Sequence, residues 1–320
     1  MDEKTAAQAE MLANRLKKRY RHLSKWARRS NISAFRLYDR DIPEIPLVLD
    51  LYDDAVSGAL YNRPYEKDPG EEARWLEAMR GAVAQGLGLA QGNVFLKERQ
   101  RIRHRQESGD QYGRLSDQGC HRDVHEGDLV FRVNLSDYLD TGLFLDARKR
   151  RAAIRNEAEG KRVLNLFAYT CSVSVAAAKG GARQVDSVDL SNTYLEWGRI
   201  NFALNGLAEP SLIRDDALQF ISRAAQQRLC WDIIVLDPPS FSNSKKMRDT
   251  LDTRRDYGEL IRSCLSLLAP GGTLWFSSGT KGISLDSNDF PGYTVKDMRP
   301  TLVDEDFKGK RIPACYTFTL

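Results

Sequence analysis

WDIIVLDPPSF, residues 231–241, decides the fold. Ile233 to Leu236 is a short, largely β-branched apolar run with a turn directly after it, the pattern of a strand buried on both faces. Pro238 and Pro239 have no N–H to give a sheet ladder, so the strand must stop at Asp237. A carboxylate, rigid carbonyls and the Phe241 ring are thereby set at the carboxyl end of a central strand. Open α/β sheets bind their ligands at that end.

The chain has 320 residues, which suits two domains. Hydrophobic residues make up 42% and charged residues 29%, an ordinary globular balance. No apolar run approaches the roughly 18 residues that span a bilayer, and the polar, basic first thirty residues hold no secretory h-region. The five cysteines (120, 171, 230, 264 and 315) form no C-x-x-C pair, as expected in a reducing cytoplasm. Cys120, His121 and His125 lack the second ligand pair that zinc needs, so a hairpin turn with solvated histidines is expected there and no metal.

Net charge is only +4, but it is unevenly placed. Residues 1–40 hold eleven Lys/Arg against four acids. Lys97, Arg99, Arg101, Arg103 and Arg105 alternate along one segment, and 148–151 is a third basic block. Such local blocks on a nearly neutral chain point to a polyanionic partner, nucleic acid first.

Met11, Leu12, Leu16, Tyr20, Leu23 and Trp26 recur at three- and four-residue steps, so 1–30 reads as a basic N-terminal helix. Alternation over 33–41, 46–52 and 93–105, with helical spacing over 71–84, predicts a small α+β domain over 31–128. Its last strand would present Arg99, Arg101 and Arg103 to a phosphate backbone. A Rossmann-like domain is expected over 129–320, opening with a strand at 129–135 and with Asp146 capping the next helix. Five βα repeats between 162 and 278 predict a doubly wound, mostly parallel sheet, and 301–307 with 314–320 a closing antiparallel pair.

NLFAYTCSVS (165–174) occupies the first strand–helix turn, where backbone N–H groups face a ligand. It lacks G-x-G-x-x-G, so a pyrophosphate cannot approach closely, whereas S-adenosylmethionine tolerates bulkier residues. Asp189, 24 residues past Asn165, is placed to accept both ribose hydroxyls, since Ser191 can cap the following helix. Asp216 and Ala217 are placed beside an adenine, with helix capping the competing role for Asp216. Asp237 and the Pro238 carbonyl can hold an amino group or ring nitrogen of a base stacked on Phe241. SFSNSKKMRD reads as a mobile loop in which Lys245, Lys246 and Arg248 meet RNA phosphate.

These residues resemble the C-terminal half of the bacterial RlmKL family, fusions of two 23S rRNA guanine methyltransferases. The resemblance runs from NRLKKRYRHLSKWARR (14–29) and FRLYDRDIPE (35–44) through YLDTGLFLDARKRR (138–151) and LNLFAYTCSVSVAAAKGGA (164–182). It continues in VDLSNTYLEWGRINFALNGL (188–207) and DPPSFSNSKKM (237–247). It implies a class I S-adenosylmethionine methyltransferase with a seven-stranded, mostly parallel sheet behind a small domain. That domain is like the one in related rRNA cytosine-5 methyltransferases, which share T-G-x-F-L-D-x-R. Asp146, Arg150, Phe167, Tyr169 and Thr170 would line the methionine end. Asp189 and Leu190 would hold ribose, Asp216 and Ala217 adenine, and Asp237 the reacting centre. Ala168 stands where the family usually has cysteine. Expected partners are 23S rRNA or a ribosomal precursor, with a second methyltransferase half in a fused chain.

Cytosine-5 enzymes need a thiolate to attack C6. In them it lies in S-C-S after P-G-G, whereas PGGTLWFSSGTKG (270–282) puts Ser278 there. No other cysteine is expected near the DPPSF turn. Guanine N7 has a free lone pair and needs placement, not a base. The expectation is therefore a cytoplasmic rRNA methyltransferase forming 7-methylguanosine. The alternatives are methylation of guanine N2 or cytosine C5, or a non-catalytic RNA-binding module.

Overall fold

In the computed structural model the chain is described over residues 2–61, 68–98, 115–242 and 251–320. It forms two compact units, the first comprising, among the described residues, 2–61, 68–98, 115–141 and 305–310. Helix α1 (Glu3–Arg29) starts where the Asp2 carboxylate accepts the Thr5 N–H at 2.9 Å. Its apolar stripe, with Leu12, Leu16 and Leu23 fully buried, faces the core of this unit. Strands β1 (Ala34–Asp39), β2 (Leu47–Tyr52) and β3 (Ala55–Leu60) form an antiparallel meander. Helix α2 (Pro69–Leu87) then crosses to β4 (Val94–Glu98), which pairs parallel with β3. Asp68 caps the start of α2, and left-handed Gly88 (φ +70°) ends it. The helices lie close: a Cβ on Gly86 would come within 3.0 Å of the Ala13 backbone.

Strand β5 (His121–Glu126) pairs antiparallel with β6 (Leu129–Asn134). Two sequence expectations change here. The stretch holding His121 and His125 is a strand rather than a turn, and β6 completes this hairpin instead of opening the second unit. Beyond it, Asp137 accepts hydrogen bonds from Ser116, Gly119 N–H, Asn134 and Ser136. Although burial opposes the charge, those donors hold its carboxyl far below the usual carboxylate range.

The second unit comprises, among the described residues, 142–242, 251–304 and 311–320. Its described part begins with α3 (Arg148–Glu157) and continues as β7 (Arg162–Leu166), α4 (Ser172–Lys179), β8 (Gln184–Asp189), α5 (Asn192–Leu204), β9 (Ser211–Arg214) and α6 (Ala217–Gln226). Strand β10 (Trp231–Leu236) follows, then the short β11 (Phe241–Ser242) and β12 (Leu251–Asp252), α7 (Thr253–Leu265) and β13 (Leu268–Ser278). The unit closes with β14 (Thr294–Asp297), α8 (Arg299–Leu302) and β15 (Ala314–Thr319). The seven-stranded sheet has the order β14-β15-β13-β10-β7-β8-β9. The five strands from β13 to β9 are parallel, β15 runs antiparallel to them, and β14 pairs antiparallel with β15.

The strand order reverses between β7 and β10, which opens a crevice at their carboxyl ends. β10 stops at Leu236, immediately before Asp237, as its prolines require. The closing pair differs from expectation: β15 takes β14 as its partner, not 301–307. Pro300, whose fixed φ suits a first helical turn, lies in the first turn of α8 instead. Among the described residues no helix is long and apolar enough to cross a membrane.

Candidate cofactor and base site

The turn after β7 is built from left-handed residues that are not glycine: Phe167 (φ +57°), Tyr169 (+51°) and Cys171 (+60°). Such backbone costs of order 1–3 kcal/mol per residue, persists only where its surroundings impose it, and gathers at functional sites. Hydrogen bonds impose it here. Ala168 N–H donates to Val188 O at 2.9 Å, and the Thr170 hydroxyl to Gly142 O at 2.6 Å. Asn201 clamps the Thr170 carbonyl at 2.8 Å. Gly142 itself sits at φ +95°, where a Cβ would lie 2.3 Å from the Trp197 ring, so the T-G step admits only glycine. Thr170 is fully buried, with its hydroxyl committed to Gly142, so it shapes the turn from behind.

Asp189 ends β8 and joins this turn to the next. Its carboxylate accepts Tyr169 N–H at 2.9 Å and Ser191 N–H at 2.8 Å. Ser191 caps α5 by accepting from Tyr194 N–H, as expected for it from the sequence. Burial pushes the Asp189 carboxyl up to about 6, against the pull of those backbone donors. Asp216 takes the capping role that competed for it: it is buried and accepts Leu218 N–H at 2.9 Å, with Ala217 buried behind it. Asp146 lies in the turn before α3 and does not cap it; Ala147 stands at that position without a side-chain bond.

At the end of β10, Asp237 accepts from Arg150 at 2.6 Å. Arg150 comes from α3, is buried, and also donates to the Ser277 hydroxyl. Burial works against its charge, but the Asp237 carboxylate more than offsets this and keeps it protonated. The guanidinium expected at the methionine end is thus tied to the residue expected at the reacting centre. Pro238 is buried. The Pro239 carbonyl accepts the Thr253 hydroxyl at 2.6 Å, fixing the turn. Phe241 and Ser242 pair with Asp252 and Leu251, so the described start of the loop is a short ribbon. Arg99, Arg101, Arg103, Lys245, Lys246 and Arg248 lie outside the described residues.

Three features escape sequence reasoning. Phe144 is 48% exposed and packs on Tyr169 at a centroid distance of 5.4 Å. Tyr194 meets the same Tyr169 edge-on at 4.6 Å, so an aromatic cluster borders the turn. The third is Cys315, which pairs in register with Ser277 and feels the charges of Arg150 and Asp237. A cysteine therefore does lie near the DPPSF turn, contrary to expectation, brought there by strand pairing. Burial pushes its thiol up to about 12, so it is protonated and inert at neutral pH. Ser278 is fully buried and accepts Thr280 N–H at 3.1 Å. Among the described residues no cluster of His, Cys, Asp or Glu could hold a metal ion.

The donor set suits a nucleoside carrying an amino-acid tail. Asp189 offers acceptor oxygens for vicinal hydroxyls, and the aromatic cluster offers apolar faces. Arg150 Nε and the Thr280 hydroxyl are buried near the strand ends without partners, capacity that a polar ligand can use. The fold and this crevice define a class I S-adenosylmethionine-dependent methyltransferase. Residues 43–287 match the family model of S-adenosylmethionine-dependent methyltransferases, and the chain belongs to that family, with S-adenosylmethionine as its cofactor.

The chain is 45% identical over 301 residues to ribosomal RNA large subunit methyltransferase K/L of Pseudomonas putida, covering 93% of this chain and 40% of that protein. It thus spans less than half the length of such K/L relatives. It is 44% identical over 306 residues to ribosomal RNA large subunit methyltransferase K of Neisseria meningitidis, covering 95% of this chain and 85% of the relative. Among solved structures, a methyltransferase complexed with SAH superposes with a TM-score of 0.75 at 25% identity, over 98% of this chain and 82% of that one.

Proposed function

We propose that the chain methylates 23S rRNA at guanine N7, forming 7-methylguanosine. The observation that carries this reading is the reacting centre itself: a carboxylate fixed by a buried guanidinium, with no ionisable thiol beside it. The bound cofactor supplies an electrophilic methyl group on a sulfonium. Asp189 and Leu190 hold its ribose, Asp216 and Ala217 border its adenine, and Asp146, Phe167 and Tyr169 line its methionine end.

Asp237 accepts hydrogen bonds from the Watson–Crick edge of guanine, where N1–H and the amino group are both donors. Phe241 stacks on the base, and the Pro238 carbonyl adds an acceptor. Guanine N7 carries a free lone pair and loses no proton when it is alkylated. Placement is then the whole of the protein's task. Covalent attack on cytosine C6 lacks a nucleophile, because Ser278 holds the expected position and Cys315 is protonated.

The small domain, including Arg99, Arg101 and Arg103, binds the RNA, and Lys245, Lys246 and Arg248 meet its phosphates. The names of the relatives support a large-subunit rRNA substrate; that the substrate is free rRNA or a ribosomal precursor, and that a second methyltransferase half accompanies the chain, are part of the proposal.

Methylation of guanine N2 is the second reading, favoured by the Asp237 carboxylate directly after β10, an acceptor for an exocyclic amino group. It needs a proton acceptor, a task ill-suited to a carboxylate already bound to a guanidinium. A 23S rRNA transcript made with 7-deazaguanosine separates the two. The N7 reading predicts that labelled methyl transfer disappears; transfer at the normal rate would refute it and support N2.

A further inference from the structure

The outward face of α1 is cationic from the middle of the helix to its end. Lys17, Lys18, Arg21, Lys25, Arg28 and Arg29 are all exposed. With 3.6 residues per turn they share about a third of the helix circumference. The opposite arc, with Leu12, Leu16, Leu23 and Ala27, is buried in the core of the first unit, so the cationic face is held outward. From Met11 to Arg29 there is no Asp or Glu. Among the described residues the ion pairs of α1 involve Arg15 and His22, and none of these six.

Two simpler accounts fall short. Complementing the negative end of the helix dipole explains Arg28 and Arg29 alone, because the effect fades beyond the last turn. A merely solvated helix face mixes signs, since opposite charges three or four residues apart stabilise a helix and like charges oppose it. Lys17, Arg21, Lys25 and Arg29 instead repeat one sign at four-residue steps. The stripe runs roughly 18 Å along the axis, at 1.5 Å per residue, enough to meet several successive phosphates.

We propose that this stripe is a sequence-independent anchor for the phosphate backbone of the RNA substrate. The inference rests on the rRNA reading above. Its lysines and arginines release counterions on binding and so make RNA affinity steeply salt-dependent.

The test uses the full chain as wild type and as K17Q/R21Q/K25Q, with a 23S rRNA transcript, and fluorescence anisotropy at rising KCl. Each lost phosphate contact lowers the slope of log affinity against log salt by about 0.7–0.9, so a fall of about 2–3 is expected. Cofactor affinity by calorimetry stays unchanged, which reports an intact fold; if the triple variant does not fold, R21Q alone carries the test with a fall of about one. An unchanged slope overturns the proposal. So does a charge dependence found with anionic phospholipid vesicles but absent with RNA. Failure of the rRNA reading looks different: the wild-type chain itself would then show no salt-dependent affinity for the transcript.

Discussion

With the ribose held as proposed above, Asp189 is expected to make cofactor binding depend on pH, in a direction that its burial sets. Its carboxyl titrates at about 6 instead of the ordinary 3.8, because burial penalises the charge more than Tyr169 and Ser191 N–H relieve it. Ribose hydroxyls donate best to the ionised form. Affinity for S-adenosylhomocysteine should therefore be flat above about pH 7 and fall by about tenfold by pH 5. Stability of the ligand-free chain runs the other way. A carboxyl whose folded value is raised binds its proton more tightly when folded. Its contribution is greatest below about pH 4, declines between about 4 and 6, and is level above, a change of roughly 2–3 kcal/mol. Asp189→Asn removes the titration and weakens two charge-assisted hydrogen bonds, together about 3 kcal/mol, or roughly a hundredfold in Kd. Calorimetry from pH 5 to 8 on both proteins checks this, the variant subtracting titration of the ligand itself. Equal pH slopes in the two proteins would refute the role given to Asp189.

Asp237→Asn strips the counter-charge from buried Arg150. Because Asp237 is 32% exposed at its side chain and an amide still accepts one bond, the loss should be about 3 kcal/mol, or roughly 6–12 °C in Tm. Arg150→Met leaves a carboxylate that water can reach and should cost only about 1–2 kcal/mol; thermal unfolding that ranks the two variants in the opposite order would contradict the burial argument. Cys315→Ser should leave the rate of methyl transfer to rRNA unchanged. Loss of activity, together with a covalent RNA adduct trapped by the wild-type cysteine, would restore cytosine chemistry.

Features that rest on local chemistry were legible in the sequence. The prolines after Asp237 set the end of β10, and Ser191 caps α5 as its place before the helix suggested. What escaped needs contacts far apart in the chain. Arg150 and Asp237 are separated by 87 residues, and Cys315 reaches Ser277 only through antiparallel pairing of β15 with β13. The closing strand was misplaced because the apolar residues of 301–307 read equally as strand or as short helix, and Pro300 settles it for helix. The left-handed turn at Phe167, Tyr169 and Cys171 gave no glycine signal, since hydrogen bonds from neighbouring elements impose that backbone.

The proposed chemistry stands or falls on which atom of which base receives the methyl group. Incubating the chain with 23S rRNA and isotopically labelled S-adenosylmethionine, then digesting the RNA to nucleosides, tests it most directly. Chromatography with mass spectrometry separates the isomeric methylguanosines by retention and fragmentation. Label in 7-methylguanosine is the predicted result; label in N2-methylguanosine or 5-methylcytidine, with none in 7-methylguanosine, would contradict it.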